Sequence, residues 1–303
     1  MTLEQLRVFV AVAERQHITR AATALHLTQA AVSASIAALE RVNDVRLFDR
    51  VGRNIALTAA GREFLPEARA VLAGAAGARQ ALGEIAGLRR GRLDVHASQT
   101  IASYFLPAHI VAFRMKYPGI AVELTIGNTD QVARAVREGR AELGFVEGPL
   151  ATPGLLVKQV AEEAMGIYVP TGHAWAKGRP LTPTDLLASP WVFREEGSGT
   201  RDFFLAVLAA RGIAPAALKI ILTLPSNEAV REAVAAGAGA ACLSARVCAR
   251  ACQAGALAQA NLDLPPRLFH AVRHPERYAS KALSAFLHMM RSGAPTEDRL
   301  RPG

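Results

Sequence analysis

The apolar residues in the first sixty positions restrict this chain to one small helical arrangement at its start. Leu3, Leu6, Phe9 (or Val10) and Ala13 recur every three or four residues and mark one face of a first helix. A second, shorter helix is predicted at about Thr19–His26, with Thr19 as N-cap and Ala21, Ala22 and Leu25 turned inward. Thr28 then caps a third helix running to about Arg41 and buried through Val32, Ile36 and Leu39. Two short helices joined by a few residues, with alanines where they approach, are the pattern of a helix-turn-helix. Leu47-Phe48-Asp49-Arg50 and Ile55-Ala56-Leu57-Thr58 read as short strands about the turn Val51-Gly52-Arg53-Asn54. They form a β-wing with Arg50 and Arg53 near its tip. Beside a helix-turn-helix these arginines suit phosphate contacts; plain surface arginines are the alternative.

From Gly61 the pattern becomes a long Ala/Arg helix. Phe64, Ala68, Val71, Ala75, Ala78, Leu82 and Ile85 are spaced alternately by four and three residues, a heptad seam for a partner helix. The seam predicts a dimer, whereas a helix packed only on its own domain would carry a wider stripe. Gly74, Gly77, Gly83 and Gly87 weaken the isolated helix, so the partner should supply stability.

Past the basic junction Arg89-Arg90-Gly91-Arg92, strands and helices alternate, which predicts a parallel or mixed α/β sheet. Strands are predicted at Leu93–Ala97, Ala121–Ile126 and Leu143–Val146, with helices at Tyr104–Lys116 and Asp130–Glu138. The rhythm restarts with strands at Gly166–Val169, Trp191–Arg194 and Ile220–Leu224 and helices at Arg201–Arg211 and Asn227–Ala236. Two units of similar size suggest two lobes with a ligand cleft between them. The predicted organisation is a DNA-binding domain over 1–60, a dimerising helix over 61–90, an effector-binding domain over 91–292 and a tail over 293–303. Within the effector domain, lobe I takes about 91–161 and 266–292, and lobe II about 162–265.

Charge and cysteine usage narrow the partners. The chain carries a net charge of +9, and residues 1–92 hold 13 arginines against 8 acidic residues. A basic N-terminal part attracts a polyanion. The absence of lysine before Lys116 suits bidentate phosphate contacts, although a GC-rich genome produces the same bias. No signal-like opening and no long apolar run are present, so a cytoplasmic protein without membrane attachment is expected. Cys242, Cys248 and Cys252 lie in one Ala-rich stretch without a neighbouring histidine and read as reduced structural thiols. The eight histidines are scattered without metal-ligand or triad spacing, so neither a metal, nor a cofactor, nor an enzyme is predicted. The alternatives are a small-molecule binding protein, or an enzyme carrying a DNA-binding domain.

The segment Ala21-Ala22, Leu25-His26-Leu27-Thr28-Gln29, Val32-Ser33, Ile36, Leu39-Glu40, Leu47-Phe48-Asp49-Arg50, Leu57-Thr58 and Gly61 closely resembles the N-terminal pattern of LysR-type transcriptional regulators. The order is fixed over about sixty residues, which makes it far more specific than any short motif. The resemblance extends over nearly the whole chain. It implies a multi-domain protein: an α-rich winged helix-turn-helix followed by a two-lobed α/β domain similar in fold to periplasmic binding proteins. It also implies a homodimer or homotetramer acting on double-stranded promoter DNA under a small-molecule effector, with RNA polymerase as a further partner. The chain departs from the pattern at Ala30, usually Pro, at Ala34, usually Arg, and at Asn43-Asp44, where Gly is usual. These departures bear on base recognition and not on fold.

A recognition helix presents its outward N-terminal residues to the major groove, here Thr28, Gln29, Ala30, Ser33, Ala34 and Ala37. Gln29 suits bidentate pairing with adenine, the alanines can touch thymine methyls, and Ser33 can donate to a phosphate or base. Without an arginine at position 34, less guanine readout and more reliance on the DNA backbone and shape are expected.

In the second part, Ser98-Gln99-Thr100 follows the first strand and opens a helix, where free N–H groups and hydroxyls attract anions. The position also matches where members of the family bind effectors. Glu196-Gly197-Ser198-Gly199-Thr200-Arg201 forms a second anion-cradle candidate at a strand-to-helix turn, without the spacing of a Walker loop. Thr129, Glu147 and Ser226-Asn227 complete the candidate effector site. The Gly-Ser-Gly-Thr-Arg segment and the Ser-Gln-Thr turn look like the family branch linked to sulfur metabolism and other small oxyanions. Carbon-fixation and amino-acid regulators are similar enough to compete. A small oxyanion or carboxylate is the favoured effector.

Overall fold

The computed structural model describes residues 1–51, 54–85, 91–148 and 153–292, which divide into an N-terminal and a C-terminal unit. The N-terminal unit opens with α1 (Leu3–Arg15), started by a capping box in which the Thr2 hydroxyl accepts from Gln5 N–H while the Gln5 side chain accepts from Thr2 N–H. Its buried face is wider than the periodicity suggests: Val8, Ala11 and Val12 are buried beside Leu6, Phe9 and Ala13, and Leu3 is exposed. α2 (Ile18–Leu25) and α3 (Gln29–Asn43) follow. The N-cap of α2 is His17, so Thr19 lies inside the helix and does not cap it. Thr28 does cap α3, accepting from Ala31 N–H at 3.1 Å. The helix ends on Asp44 at φ 48°, a left-handed conformation that Gly adopts freely and Asp tolerates. This is where the family pattern usually has Gly.

β1 (Phe48–Val51) and β2 (Asn54–Leu57) pair antiparallel as the wing, and α4 (Ala59–Ile85) follows directly. Gly61 is required at that junction, because a Cβ there would lie 2.1 Å from the Leu47 carbonyl oxygen. Ala68 of α4 is buried in the core of this unit and Phe64 packs against it, while Val71 and Leu82 are exposed. The heptad seam is therefore not one surface. Its first two members pack within the N-terminal core, and of the later ones Val71, Ala78 and Leu82 are exposed.

The C-terminal unit begins with β3 (Gly91–Ser98), α5 (Gln99–Tyr104), α6 (Leu106–Lys116), β4 (Ile120–Gly127), α7 (Thr129–Arg137), β5 (Leu143–Glu147) and β6 (Leu156–Glu163). The predicted helix at Tyr104–Lys116 is α6, which begins two residues later at Leu106, and the short α5 precedes it with Phe105 between them. A second lobe then adds β7 (Met165–Pro170), α8 (Pro183–Ala188), β8 (Pro190–Arg194), α9 (Gly199–Ala210), β9 (Lys219–Leu224), α10 (Asn227–Ala235), β10 (Ala241–Ser244), α11 (Ala245–Gln253) and β11 (Leu257–Ala260). The chain returns to the first lobe as β12 (Arg267–Arg273) and α12 (Lys281–Ser292).

Lobe I is a mixed five-stranded sheet in the order β4-β3-β5-β12-β6. β3 runs parallel to β4 and β5, and β12 runs antiparallel to both β5 and β6. Lobe II holds β10-β7-β11 and the parallel pair β8-β9, joined by a bridge between Trp191 and Ala240. Its core centres on Trp191, wholly buried, whose indole N–H donates to the Leu186 carbonyl at 2.7 Å. Periodicity does not disclose β6, α8 or any element from β10 to α12. These are short or return from far along the chain, where periodicity carries little signal. No single described helix is long and apolar enough to cross a membrane.

Candidate functional site

Two surfaces carry the candidate residues, one in each unit. On α3, burial of Val32, Ile36 and Leu39 turns the opposite face outward, and Thr28, Gln29, Ala30, Ser33, Ala34 and Ala37 are all exposed along it. Arg50 is exposed on β1. Arg53, the other predicted wing residue, lies outside the described residues. The wing is tied to α3 by Glu40, whose carboxylate accepts from the backbone N–H groups of Leu47 at 2.7 Å and Phe48 at 3.1 Å. Glu40→Ala orphans both donors and is expected to destabilise the N-terminal unit by about 1–3 kcal/mol, read by urea unfolding followed by far-UV circular dichroism.

Between the lobes of the C-terminal unit, polar side chains from eight elements, β3, α5, β5, β6, α9, α10, β10 and β12, form a connected network. Ser98 donates to Glu147 at 2.5 Å and Thr100 donates to the same carboxylate at 3.1 Å. Thr100 in turn accepts from Asn227 at 3.0 Å and from Arg267 at 3.3 Å. Arg267, wholly buried at the start of β12, also donates to Thr200 at 2.7 Å and to Glu163 through two nitrogens, and lies 3.5 Å from Glu147. Ser244 closes the network by donating to Glu163 at 2.5 Å. A pocket at the crossing between the lobes, lined by Glu162, Glu163, Ala164, Met165, Leu264 and Pro266, reaches Glu163.

Burial pushes the Glu163 carboxyl above its ordinary pKa; the Arg267 guanidinium opposes this and the nearby Glu147 reinforces it. Burial works against the charged form of Arg267, but the two carboxylates outweigh it and hold that cation firmly charged.

Further bonds fasten the same cleft. Gln99 donates to Glu228 at 2.8 Å and accepts from the Asn227 backbone N–H at 2.8 Å, and Tyr104 donates to Glu228 at 3.0 Å. Thr129 donates to the Glu147 carbonyl at 3.0 Å, and the backbone of Gly199 packs on that carbonyl so closely that a Cβ would sit 2.1 Å from its oxygen.

Of the predicted effector residues, the structure brings Ser98, Gln99, Thr100, Thr129, Glu147, Gly199 and Thr200 together here. Ser198 is buried as the N-cap of α9. Three others point elsewhere. The Glu196 side chain is 91% exposed, and it is Glu195 that turns in, accepting from Arg194 at 2.7 and 2.9 Å. Ser226 caps α10 by accepting from Ala229 N–H at 3.0 Å. Arg201 lies over the Phe193 ring and donates to the Arg194 carbonyl at 3.3 Å, outside the network. The predicted helix start after Ser98 is present as α5, which has only six residues; the Ser98 hydroxyl makes no cap bond there and donates to Glu147. Arg267 and Glu163 are not among the residues predicted from the sequence. The signal for Arg267 was there, since Arg267, Phe269 and Ala271 alternate along β12 and put an arginine at an inward position.

All three cysteines are free. Burial pushes the Cys242 thiol up to about 12, so it is not a nucleophile at neutral pH. Among the described residues no group of three or more His, Cys, Asp or Glu is placed to hold a metal ion.

Comparison with known proteins finds the same two parts. Residues 3–62 match the model described as a bacterial regulatory helix-turn-helix protein, lysR family, and residues 86–295 match the LysR substrate binding domain. The chain is 35% identical over 289 residues to the uncharacterized HTH-type transcriptional regulator YeiE of Escherichia coli (strain K12), covering 95% of this chain and 96% of that protein. Full-length CbnR complexed with its target DNA aligns with a TM-score of 0.69 at 25% identity, over 97% of this chain and 100% of that one. The regulatory domain of Synechocystis PCC6803 CcmR in complex with 2-PG aligns with a TM-score of 0.62 at 25% identity, over 68% of this chain and 99% of that one.

Proposed function

Because the chain belongs to the LysR family of bacterial transcriptional regulators, we propose that it reads promoter DNA with α3 and the wing while a small anionic effector held between its lobes sets the outcome. It is a regulator with a DNA-binding and an effector-binding part, and not an enzyme. The observation that carries the DNA-reading half is the outward face of α3, where Gln29 stands at the helix start among small residues that let the helix approach a groove closely. The working form is a homodimer or homotetramer joined through the part of α4 beyond Ala68, acting in the cytoplasm where the DNA is, with RNA polymerase as a further contact.

Gln29→Ala is expected to lower discrimination against a mismatched adenine position by about 1–3 kcal/mol while leaving binding to scrambled DNA nearly unchanged. Arg50→Ala is expected to weaken matched and scrambled sites alike and to reduce the salt slope by about one. Titrations on an upstream fragment and its scrambled version at two salt concentrations measure both. Equal losses for Gln29→Ala on the two DNAs would overturn the placement of α3 in the groove.

The effector reading is supported by the convergence of hydroxyls and a buried guanidinium between the lobes, and by the 2-PG complex of the CcmR domain. An oxyanion or carboxylate is the class those donors suit. A ligand that remakes this network changes how the lobes are fastened, and differential affinity for the two arrangements is what alters DNA binding.

A further inference from the structure

The donors an external anion needs between the lobes are held by a carboxylate of the protein itself. Both oxygens of Glu147 are engaged: Ser98 donates to one at 2.5 Å, and Thr100 donates to the other at 3.1 Å, with an Arg267 nitrogen 3.5 Å from that second oxygen. Two hydroxyls and a guanidinium around one carboxylate are the contacts a bound carboxylate ligand would receive. The charges sharpen the point. Arg267 faces both Glu147 and Glu163, so the network already holds two carboxylates for one guanidinium, all buried. A second anion added beside Glu147 would meet repulsion that water cannot screen well.

We propose that Glu147 is a tethered internal ligand of the effector site, which an anionic effector must displace from Ser98 and Thr100 in order to bind. The inference rests on the anionic-effector reading above. The backbone at Glu147 is fixed, because its carbonyl accepts from Thr129 and supports Gly199. Displacement is therefore a rotation of the side chain. Thr100 also accepts from Asn227 of lobe II, so the exchange disturbs a bond between the lobes at the same step. A tethered competitor has a high effective concentration, which raises the amount of effector needed for a response.

The test is isothermal titration of the full chain with sulfate, phosphate and acetate, each at ionic strength matched with sodium chloride. Wild type is compared with Glu147→Gln and with Glu147→Gln/Ser98→Ala. Glu147→Gln leaves the balanced pair of Arg267 and Glu163, and an amide can still meet both hydroxyls, so the variant keeps its fold. The expected result is that Glu147→Gln binds the responding anion on the order of tenfold or more tightly than wild type. The added Ser98→Ala change then abolishes that gain. A gain of affinity is a readout that a merely structural role for Glu147 would not give. If wild type and Glu147→Gln bind an anion equally, the internal-ligand inference is overturned while the anionic-effector reading stands. If neither binds any of the three anions, both are overturned.

Discussion

Replacing Arg267 with methionine is expected to cost the effector-binding unit about 3–5 kcal/mol. Methionine fills a comparable volume but leaves Glu147 and Glu163 buried without the cation that serves both, and it removes the donors to Thr100 and Thr200. Breaking one partner out of a buried charge cluster is far more harmful than replacing the whole cluster by apolar groups, because the remaining charges keep their desolvation penalty. The loss should also depend on pH, in a definite direction. The Glu163 carboxyl is already raised above its ordinary value of 4.5 by burial, against the opposing pull of Arg267. Without Arg267 the rise is larger. A carboxyl with a raised folded-state pKa contributes stability that is fully present below its unfolded value and is lost as pH rises through the folded value. The deficit of the variant is therefore greatest near neutral pH and shrinks as pH falls towards the ordinary carboxyl range. Both tryptophans, Trp175 and Trp191, lie in the core of lobe II, so urea unfolding followed by tryptophan fluorescence reads the right unit. Equal deficits at neutral and mildly acidic pH would mean that the carboxylates are not charged in the folded wild type.

The two parts of the chain differ in how much of them the sequence discloses, and the difference is one of contact range. In the N-terminal unit, α1, α2, α3 and the wing pack on one another within about sixty residues, so periodicity, a capping threonine and a Gly at a close approach nearly suffice. Even there, one period can serve two purposes. Phe64 and Ala68 obey the same heptad as Val71 and Leu82, yet the first pair closes a core within the chain and the second pair is exposed.

Between the lobes the limits are sharper. Ser98, Thr100, Glu147 and Thr200 were legible because each stands at the end of a strand or the start of a helix, where chains in α/β sheets turn towards ligands. Arg267 is 104 residues from its Glu163 partner and 167 from Thr100, and no local pattern predicts which carboxylate such an arginine will meet. The choice between Glu195 and Glu196 was equally hidden. Adjacent residues at a turn point in different directions, and only the backbone conformation around Gly197, at φ 78°, decides which one enters the cleft.

Phe9→Ala is the second substitution with a large expected effect, a loss of about 3–5 kcal/mol from the N-terminal unit. Its ring is wholly buried, with centroids 5.4 Å from Phe48 at the start of the wing and 5.1 Å from Phe64 on α4. One side chain thus fixes α1 against both the wing and the linker helix, and alanine leaves a cavity bounded by two aromatic rings that cannot both move in to fill it. The consequence for DNA differs from that of Gln29→Ala. Phe9 does not lie on the outward face of α3, so its loss should weaken matched and scrambled sites together by loosening the geometry between α3 and Arg50. Leu3→Ala is the contrast. Leu3 belongs to the same heptad-like spacing in the sequence but is 47% exposed, so its truncation should change stability by no more than about 0.5 kcal/mol. Chemical unfolding followed by far-UV circular dichroism, together with DNA titrations on both variants, separates the two cases. A Phe9→Ala protein as stable as Leu3→Ala would mean that α1, the wing and α4 do not share one core.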